Sequence, residues 1–326
     1  MNWRMTVAYA VAALAASLAL PGYAAAADYP DKPIRMVCPF PPGGTTDFVA
    51  RMIAQKLSEA WGQEVVVDNR PGAGGIIGTE MVAKAAPDGY TVLLGSITTH
   101  AINPALYAHM NYDPIKDFQP VTLAVSSPQV LVVHPAVPAR SLAEFIALAK
   151  AQPGKLNYAS SGIGTSPNVT FEMFKSMAGI NVIHVPYKGT GPANTDLVGG
   201  HVQAMISGIA ALMPYIKSGQ MRPLAVTTKA RAPALPALPT FDEAGVPDFD
   251  VSSWFGVFLP AHTPPTVVSK MNREIRRIVA DPEVRRLFIE QGADPSSNTP
   301  EEFTAFVKSE KQRWGKVIKD ARIQGE

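Results

Sequence analysis

The run IRMVCPFPPGGTTDFVARMIAQKLSEAWGQEVVVD, residues 34–68, decides the fold. Its opening five residues are mostly apolar and read as a short strand. A turn rich in proline and glycine follows. Residues 47–60 then place Val49, Met52, Ile53, Leu57 and Trp61 on one helical face, and Gly62 ends the helix. Residues 64–68 form the next strand. Strand, helix and strand in this order make a βαβ unit, whose strands lie parallel under a covering helix.

The same rhythm continues outward. Residues 75–86 read as a helix, Pro87-Asp88-Gly89 as a turn and 90–94 as a strand. A second set begins near residue 128, with a strand at 130–133. Ser141-Leu142-Ala143-Glu144 is a capping box that opens a helix closing at Gly154. After a strand at 156–159, Ser166-Pro167 caps a helix that carries Phe171, Phe174 and Met177 and stops at Gly179. Strands follow at 182–185, 202–206 and 224–227. The proline-rich stretch 231–239 is a connection, 254–259 a strand, and helices start from Pro264, Pro282 and Pro300, the last with a capping box from Thr299 to Glu302. A chain that leaves the first set and returns to it predicts two α/β domains and two crossings. The boundaries fall at 28–124 plus 240–326 for lobe 1 and 125–239 for lobe 2.

Composition narrows the function. Of 326 residues, 47% are apolar and 17% charged, as in a folded globular protein. Basic residues number 29 against 27 acidic, so no charge excess points to nucleic acid. Residues 5–20 are apolar behind Arg4, Pro21-Gly22 interrupts them, and small residues follow. This predicts a secretory leader at 1–27, cleaved near Ala26 or Ala27, and an exported protein. One cysteine, Cys38, allows no disulfide within the chain. The six histidines lack paired metal spacing, so neither metal nor cofactor is expected.

Parallel sheets bind ligands beyond the C-terminal ends of their strands. Two glycine-rich turns stand at such ends and lead into helices: PPGGTTD, residues 41–47, and SSGIGTSPN, residues 160–168. Helix N-termini favour an anion, glycine permits close approach, and hydroxyls add donors. Neither loop has the lysine of a nucleotide phosphate loop. A carboxylate suits neutral donors of this kind. Alternatively the glycines only make turns, and Thr45, Asp47 and Ser166 only cap helices. Asp47 could also accept from a ligand amine.

Four stretches together, YPDKPIRMVCPFPPGGTTDFVARMIAQKL, VVVDNRPGAGGIIGTEMVAKAAPDGYTVLL, LNYASSGIGTSPN and HVPYKGTGPANTDLVGGHV, resemble the Bug family, the solute receptors of tripartite tricarboxylate transporters. The resemblance runs from about Tyr29 to Val317. It implies a two-domain periplasmic binding protein, a Venus flytrap in which each lobe is a mainly parallel sheet flanked by helices. It implies a small carboxylate as ligand, a large and a small integral membrane subunit as partners, and no catalysis. A monomer is expected. Carried onto this sequence, the ligand-binding set is Pro42, Gly43, Gly44, Thr45 and Asp47 in the first loop. In the second loop it is Ser161, Gly164, Thr165 and Ser166. Asn168 stands where many relatives have a histidine, which leaves hydrogen bonding but no positive charge. Ser96, Thr98 and Tyr187 are expected as walls or secondary donors.

Other signals have plainer readings. Residues 70–78, RPGAGGIIG, nearly form a dinucleotide fingerprint, but Ile77 replaces the third glycine. Cys38 reads as a buried thiol, although a nucleophile paired with His134 or His184 is conceivable from sequence. Arg273, Arg276, Arg277, Arg285 and Arg286 form a basic stripe, either a solvated helix face or a docking surface. Phe40, Tyr187 and Trp254 could flank a ligand or belong to the core. A sensor for a membrane signalling protein and an exported hydrolase or oxidoreductase are the competing functions.

Overall fold

The computed structural model describes residues 29–321 and 323. The chain divides after Asp31, and the unit that begins at Lys32 holds every described helix and strand. Residues 1–28, where the leader is expected, lie outside the described residues.

The opening βαβ unit forms as read. β1 (Ile34–Cys38) lies between β2 (Val65–Asn69) and β3 (Thr91–Ser96), all parallel, with α1 (Thr45–Trp61) and α2 (Ile76–Ala83) as crossovers. Gly62 ends α1 at a left-handed φ of 64°, where its N–H reaches the Ser58 carbonyl. Beyond β3 the backbone makes one wide π-type turn, Thr98–Ile102, and runs into the short α3 (Asn103–Leu106).

β4 (Phe118–Val133) is far longer than the four-residue strand read from sequence. Pro120 and Pro128 argue against a strand, since proline cannot donate to a ladder. The fold tolerates both at irregular places. The register shifts between Pro120 and Thr122, and Pro128 stands where β4 stops pairing with one neighbour and starts pairing with others.

The second set repeats the first. Its elements are α4 (Leu142–Ala151), β5 (Asn157–Ser160), α5 (Ser166–Ala178), β6 (Ile183–Pro186), α6 (Thr190–Val198), β7 (Ala204–Gly208), α7 (Ile209–Lys217) and β8 (Arg222–Val226). β5 pairs in parallel with both β6 and β7. The chain returns through β9 (Ser252–Pro260), α8 (Pro265–Ala280), α9 (Pro282–Glu290), β10 (Asp294–Pro295) and α10 (Pro300–Asp320). β9 is antiparallel to β3 and to the first part of β4, while residues 129–133 of β4 pair with β7 and β8. One strand thus belongs to both halves of the sheet, and the C-terminal ends of β1, β3, β5 and β7 converge beside it.

α10 fastens β9 in place. Phe303 lies directly over Gly256, where an added Cβ would stand 2.1 Å from its ring. Buried Glu310 accepts the indole N–H groups of Trp254 at 3.0 Å and Trp314 at 3.2 Å. Trp254 is therefore a core residue. The predicted capping box forms: Thr299 Oγ1 accepts the Glu302 N–H at 3.2 Å, and Glu302 accepts the Thr299 N–H at 2.8 Å. Thr299→Ala is expected to lower stability by about 1 kcal/mol in chemical denaturation. An unchanged midpoint would show that tertiary packing alone holds this helix.

Candidate functional site

Where the glycine turns meet, a narrow cavity of about 60 Å³ lies between the two halves of the sheet. Eighteen residues line it, ten of them serine or threonine and none charged. Four helices point their N-termini at it: α1 from Gly44, α5 from Thr165, α6 from Gly189 and α7 from Gly208. No N-cap side chain closes any of these four, whereas Ser141, Asp281 and Thr299 cap helices elsewhere; at α5 the first N–H goes instead to Thr98 Oγ1 and Pro167 has none to offer. Glycines thus collect where four helix dipoles converge. The positive potential they make needs no cationic side chain.

Seven predicted residues line the cavity: Gly44, Thr45, Ser96, Thr98, Ser161, Thr165 and Ser166. Pro42 and Gly43 are exposed and outside the lining. Gly164 is buried against Leu106 and Tyr107 of the first half. The Tyr187 hydroxyl donates to Asp196 at 2.6 Å and lies outside the lining. Phe40 is in the wall.

The capping roles read from sequence are corrected. Ser166 is the first residue of α5, not its cap, and its N–H donates to Thr98 Oγ1 at 3.1 Å. Its hydroxyl meets Ser253 Oγ at 3.2 Å and accepts from Gln129 Nε2 at 2.9 Å. Thr165 Oγ1 donates to the Gly162 carbonyl at 2.6 Å. Asp47 caps no helix from the N-cap position, which is Gly44. It is buried behind the loop, where it accepts from the Gly43 N–H at 3.1 Å, Arg51 Nε at 3.0 Å and Asn69 Nδ2 at 3.0 Å. Burial works to raise the Asp47 carboxyl, but the bonds from Arg51, Asn69 and Gly43 outweigh it and hold it below the usual range.

Sequence reasoning missed Thr46, Gly189, Thr190, Ser207, Gly208 and Ser253, all in the lining, and Gln129 behind it. Gly189-Thr190 and Ser207-Gly208 each follow a strand and start a helix, the rule that found the first two loops. Gln129 stands at the switchover of β4, one residue before the strand that was read. Ser96, also in the lining, is 2% exposed, and its Oγ has no hydrogen-bond partner among the described residues.

Behind the second loop, Asn168 accepts the Gly164 N–H at 3.0 Å and donates to Tyr158 Oη at 2.9 Å. Ser160 Oγ meets His184 Nε2 at 2.7 Å. Burial pushes His184 down to about 4 and the fully enclosed His100 down to about 3. Both are neutral in the fold at pH 7, while in the unfolded chain each takes a proton near 6.5. Below pH 6.5 the unfolded state binds protons the folded state refuses, so stability falls as pH falls toward 4. Melting temperatures measured from pH 7 to 4.5 are expected to decline steadily, and a flat profile across that window would contradict this assignment.

Cys38 is fully buried, and burial pushes its thiol up to about 12, so it stays protonated and is no nucleophile. The near-fingerprint at 70–78 is a packing turn: an added Cβ on Gly78 would stand 2.6 Å from the Arg70 carbonyl and 2.9 Å from Pro39. Within the arginine stripe, Arg277 pairs with Glu274, Arg286 with Glu290, and Arg285 donates to the Pro295 carbonyl. Among the described residues no acidic, cysteine and histidine cluster could hold a metal, and no helix is long and apolar enough to cross a membrane.

The family model described as the tripartite tricarboxylate transporter family receptor matches residues 49–323. The chain belongs to that family. The receptor is 41% identical to protein BugT of Bordetella pertussis over 293 residues, 90% of each chain. A solved Rhodopseudomonas palustris protein, Rpa4515 with adipate, superposes at a TM-score of 0.89 with 40% identity, covering 91% of this chain and 99% of the other. The malate-bound MatC of the same organism gives 0.84 with 33% identity, over 89% and 100%. The periplasmic binding protein BugD gives 0.87 with 36% identity, over 91% and 100%. The receptor thus has the two-lobe fold of periplasmic solute-binding proteins, and its family is one of receptors rather than enzymes.

Proposed function

We infer that this receptor binds a small mono- or dicarboxylate between its lobes in the periplasm and delivers it to the large and small membrane subunits of a tripartite tricarboxylate transporter. The convergence of four helix N-termini on an uncharged, hydroxyl-lined cavity carries this reading. Such a site stabilises a carboxylate by fixed dipoles and neutral donors, without the desolvation of a buried counter-ion. The cavity favours a slim acid over a bulky one. Adipate and malate in two relatives agree with both points.

The lobes are 28–124 with 240–326 and 125–239, and they hinge where β4 changes partners. On closing, the first loop fixes a carboxylate and the second clamps it. Water leaves the cleft, and each hydrogen bond strengthens. Pro42, Gly43, Gly164 and Tyr187 act outside direct contact in this arrangement.

The test is a thermal-shift panel of C4 to C6 dicarboxylates, citrate, acidic amino acids, nicotinate, benzoate and terephthalate. A ligand at a hundred times its dissociation constant adds about 2.7 kcal/mol. A clear shift with one acid establishes the class. If no acid shifts the melt but a neutral or cationic solute does, the carboxylate reading fails.

A further inference from the structure

Asp47 and Asn168 occupy the same place in two different loops. Each is the third residue of its helix, and each reaches back four residues to accept the N–H of a glycine. The bonds measure 3.1 Å from Gly43 and 3.0 Å from Gly164. Both glycines are left-handed, with φ of 86° and 72°. Both acceptors are buried, at 5% and 4% exposure. In an ordinary capping box the third helical residue takes the N–H of the N-cap. Here it takes the N–H one residue earlier, so the bond secures the turn and leaves the helix start without a side-chain cap of its own.

Each acceptor is itself anchored away from the cavity. Asn69 Nδ2 joins Asp47 to the Phe40 carbonyl, at 3.0 and 2.9 Å, so residues 40 and 43 are fixed by one cluster. Asn168 is held by Tyr158, whose hydroxyl donates to Glu172 at 2.5 Å. Gly44 and Thr165, the residues immediately after the two glycines, line the cavity. Asp47 has its carboxylate balanced by Arg51 through both oxygens, and Asn168 is neutral, so neither loop adds net charge beside the anion.

We propose that Asp47 and Asn168 are matched positioning residues, each holding the left-handed glycine of its loop so that the cavity-lining residue after it, Gly44 or Thr165, is set in place against the ligand carboxylate. This inference rests on the carboxylate reading for its affinity measurements and not for its backbone measurements.

The experiment compares Asp47→Ala, Asp47→Asn and Asn168→Ala with the wild type, using adipate and malate as probes. Calorimetric affinity well below the melting temperature is read beside amide hydrogen exchange. Asp47→Ala is expected to weaken binding about tenfold or more and to speed exchange in residues 40–45 only. Asn168→Ala is expected to do the same at 162–166 only. Asp47→Asn retains an acceptor for Gly43 and is expected to rescue most of the loss, because geometry rather than charge is what the residue supplies. Unchanged exchange in the altered loop, or a lower melting temperature with unchanged affinity, overturns the proposal. If neither acid binds the wild type, the ligand reading is what has failed, and exchange at Gly43 and Gly164 still decides the positioning role.

Discussion

Gly208→Ala is expected to weaken binding of the cognate acid about a hundredfold, with little change in the backbone fit of the residue itself. Gly208 has φ −59° and ψ 137°, an ordinary conformation for alanine. The obstacle lies across the cleft. An added Cβ would stand 2.4 Å from Thr45 Oγ1 and 3.3 Å from Thr45 Cβ. Thr45 opens α1 in the first half, and Gly208 ends β7 in the second. Neighbouring contacts have the same character: a Cβ on Gly189 would stand 2.7 Å from Pro41, and one on Gly44 would stand 3.3 Å from Thr190 Oγ1. The first loop therefore seats on the starts of α6 and α7 through glycines. Overpacking such a contact costs about 3 kcal/mol at the upper end, which is the hundredfold change. If the lobes hinge as proposed, the unliganded protein opens and avoids the overlap, so its melting temperature should move little. A double-mutant cycle with Thr45→Ala should show coupling, because that change removes the nearer atom. Wild-type affinity in Gly208→Ala would mean that this contact is not part of the bound state.

Much of the architecture was legible because local signals agreed with one another. Gly62 and Gly179 end their helices, Thr299 and Glu302 begin α10 as a full box, and the strand, glycine and helix order at residues 34–47 and 156–168 is unambiguous. Ser141 forms half of its predicted box, since Glu144 accepts from the Arg140 N–H instead. Two cavity walls escaped for different reasons. α6 buries only Ala193, Asn194 and Leu197 and lacks the apolar periodicity that marks α1, whereas α7 has an apolar face but carries Pro214 inside it, which reads as a break. β4 escaped because Pro120 sits at a register shift and Pro128 at the change of partners, places that only the assembled sheet reveals. The roles of Asp47 and Asn168 escaped for another reason. A carboxylate or amide at the start of a helix reads as a cap or a ligand contact, and the direction in which it reaches is a property of the folded turn.

Ser96→Ala should move stability and affinity in opposite directions, which separates a binding hydroxyl from a structural one. Ser96 ends β3, and its backbone N–H and carbonyl are both engaged by Thr99 Oγ1, so the strand end does not depend on its side chain. The Ser96 hydroxyl is buried, belongs to a lining residue and has no hydrogen-bond partner among the described residues. A buried polar group left unpaired destabilises the free protein, by about 1 kcal/mol or more. Removing it should therefore raise the melting temperature of the unliganded receptor. In the bound state the same hydroxyl can donate to a carboxylate, a charge-assisted bond worth about 2 kcal/mol, so its loss should weaken binding about thirtyfold. Ser166→Ala provides the contrast, because the Ser166 hydroxyl already bonds to Gln129 and lies within reach of Ser253, and its removal should lower stability. Calorimetry of both variants in both states gives four numbers. If Ser96→Ala lowers the unliganded melting temperature, the hydroxyl supports the fold rather than the ligand, and the carboxylate must take its donors from other groups of the lining.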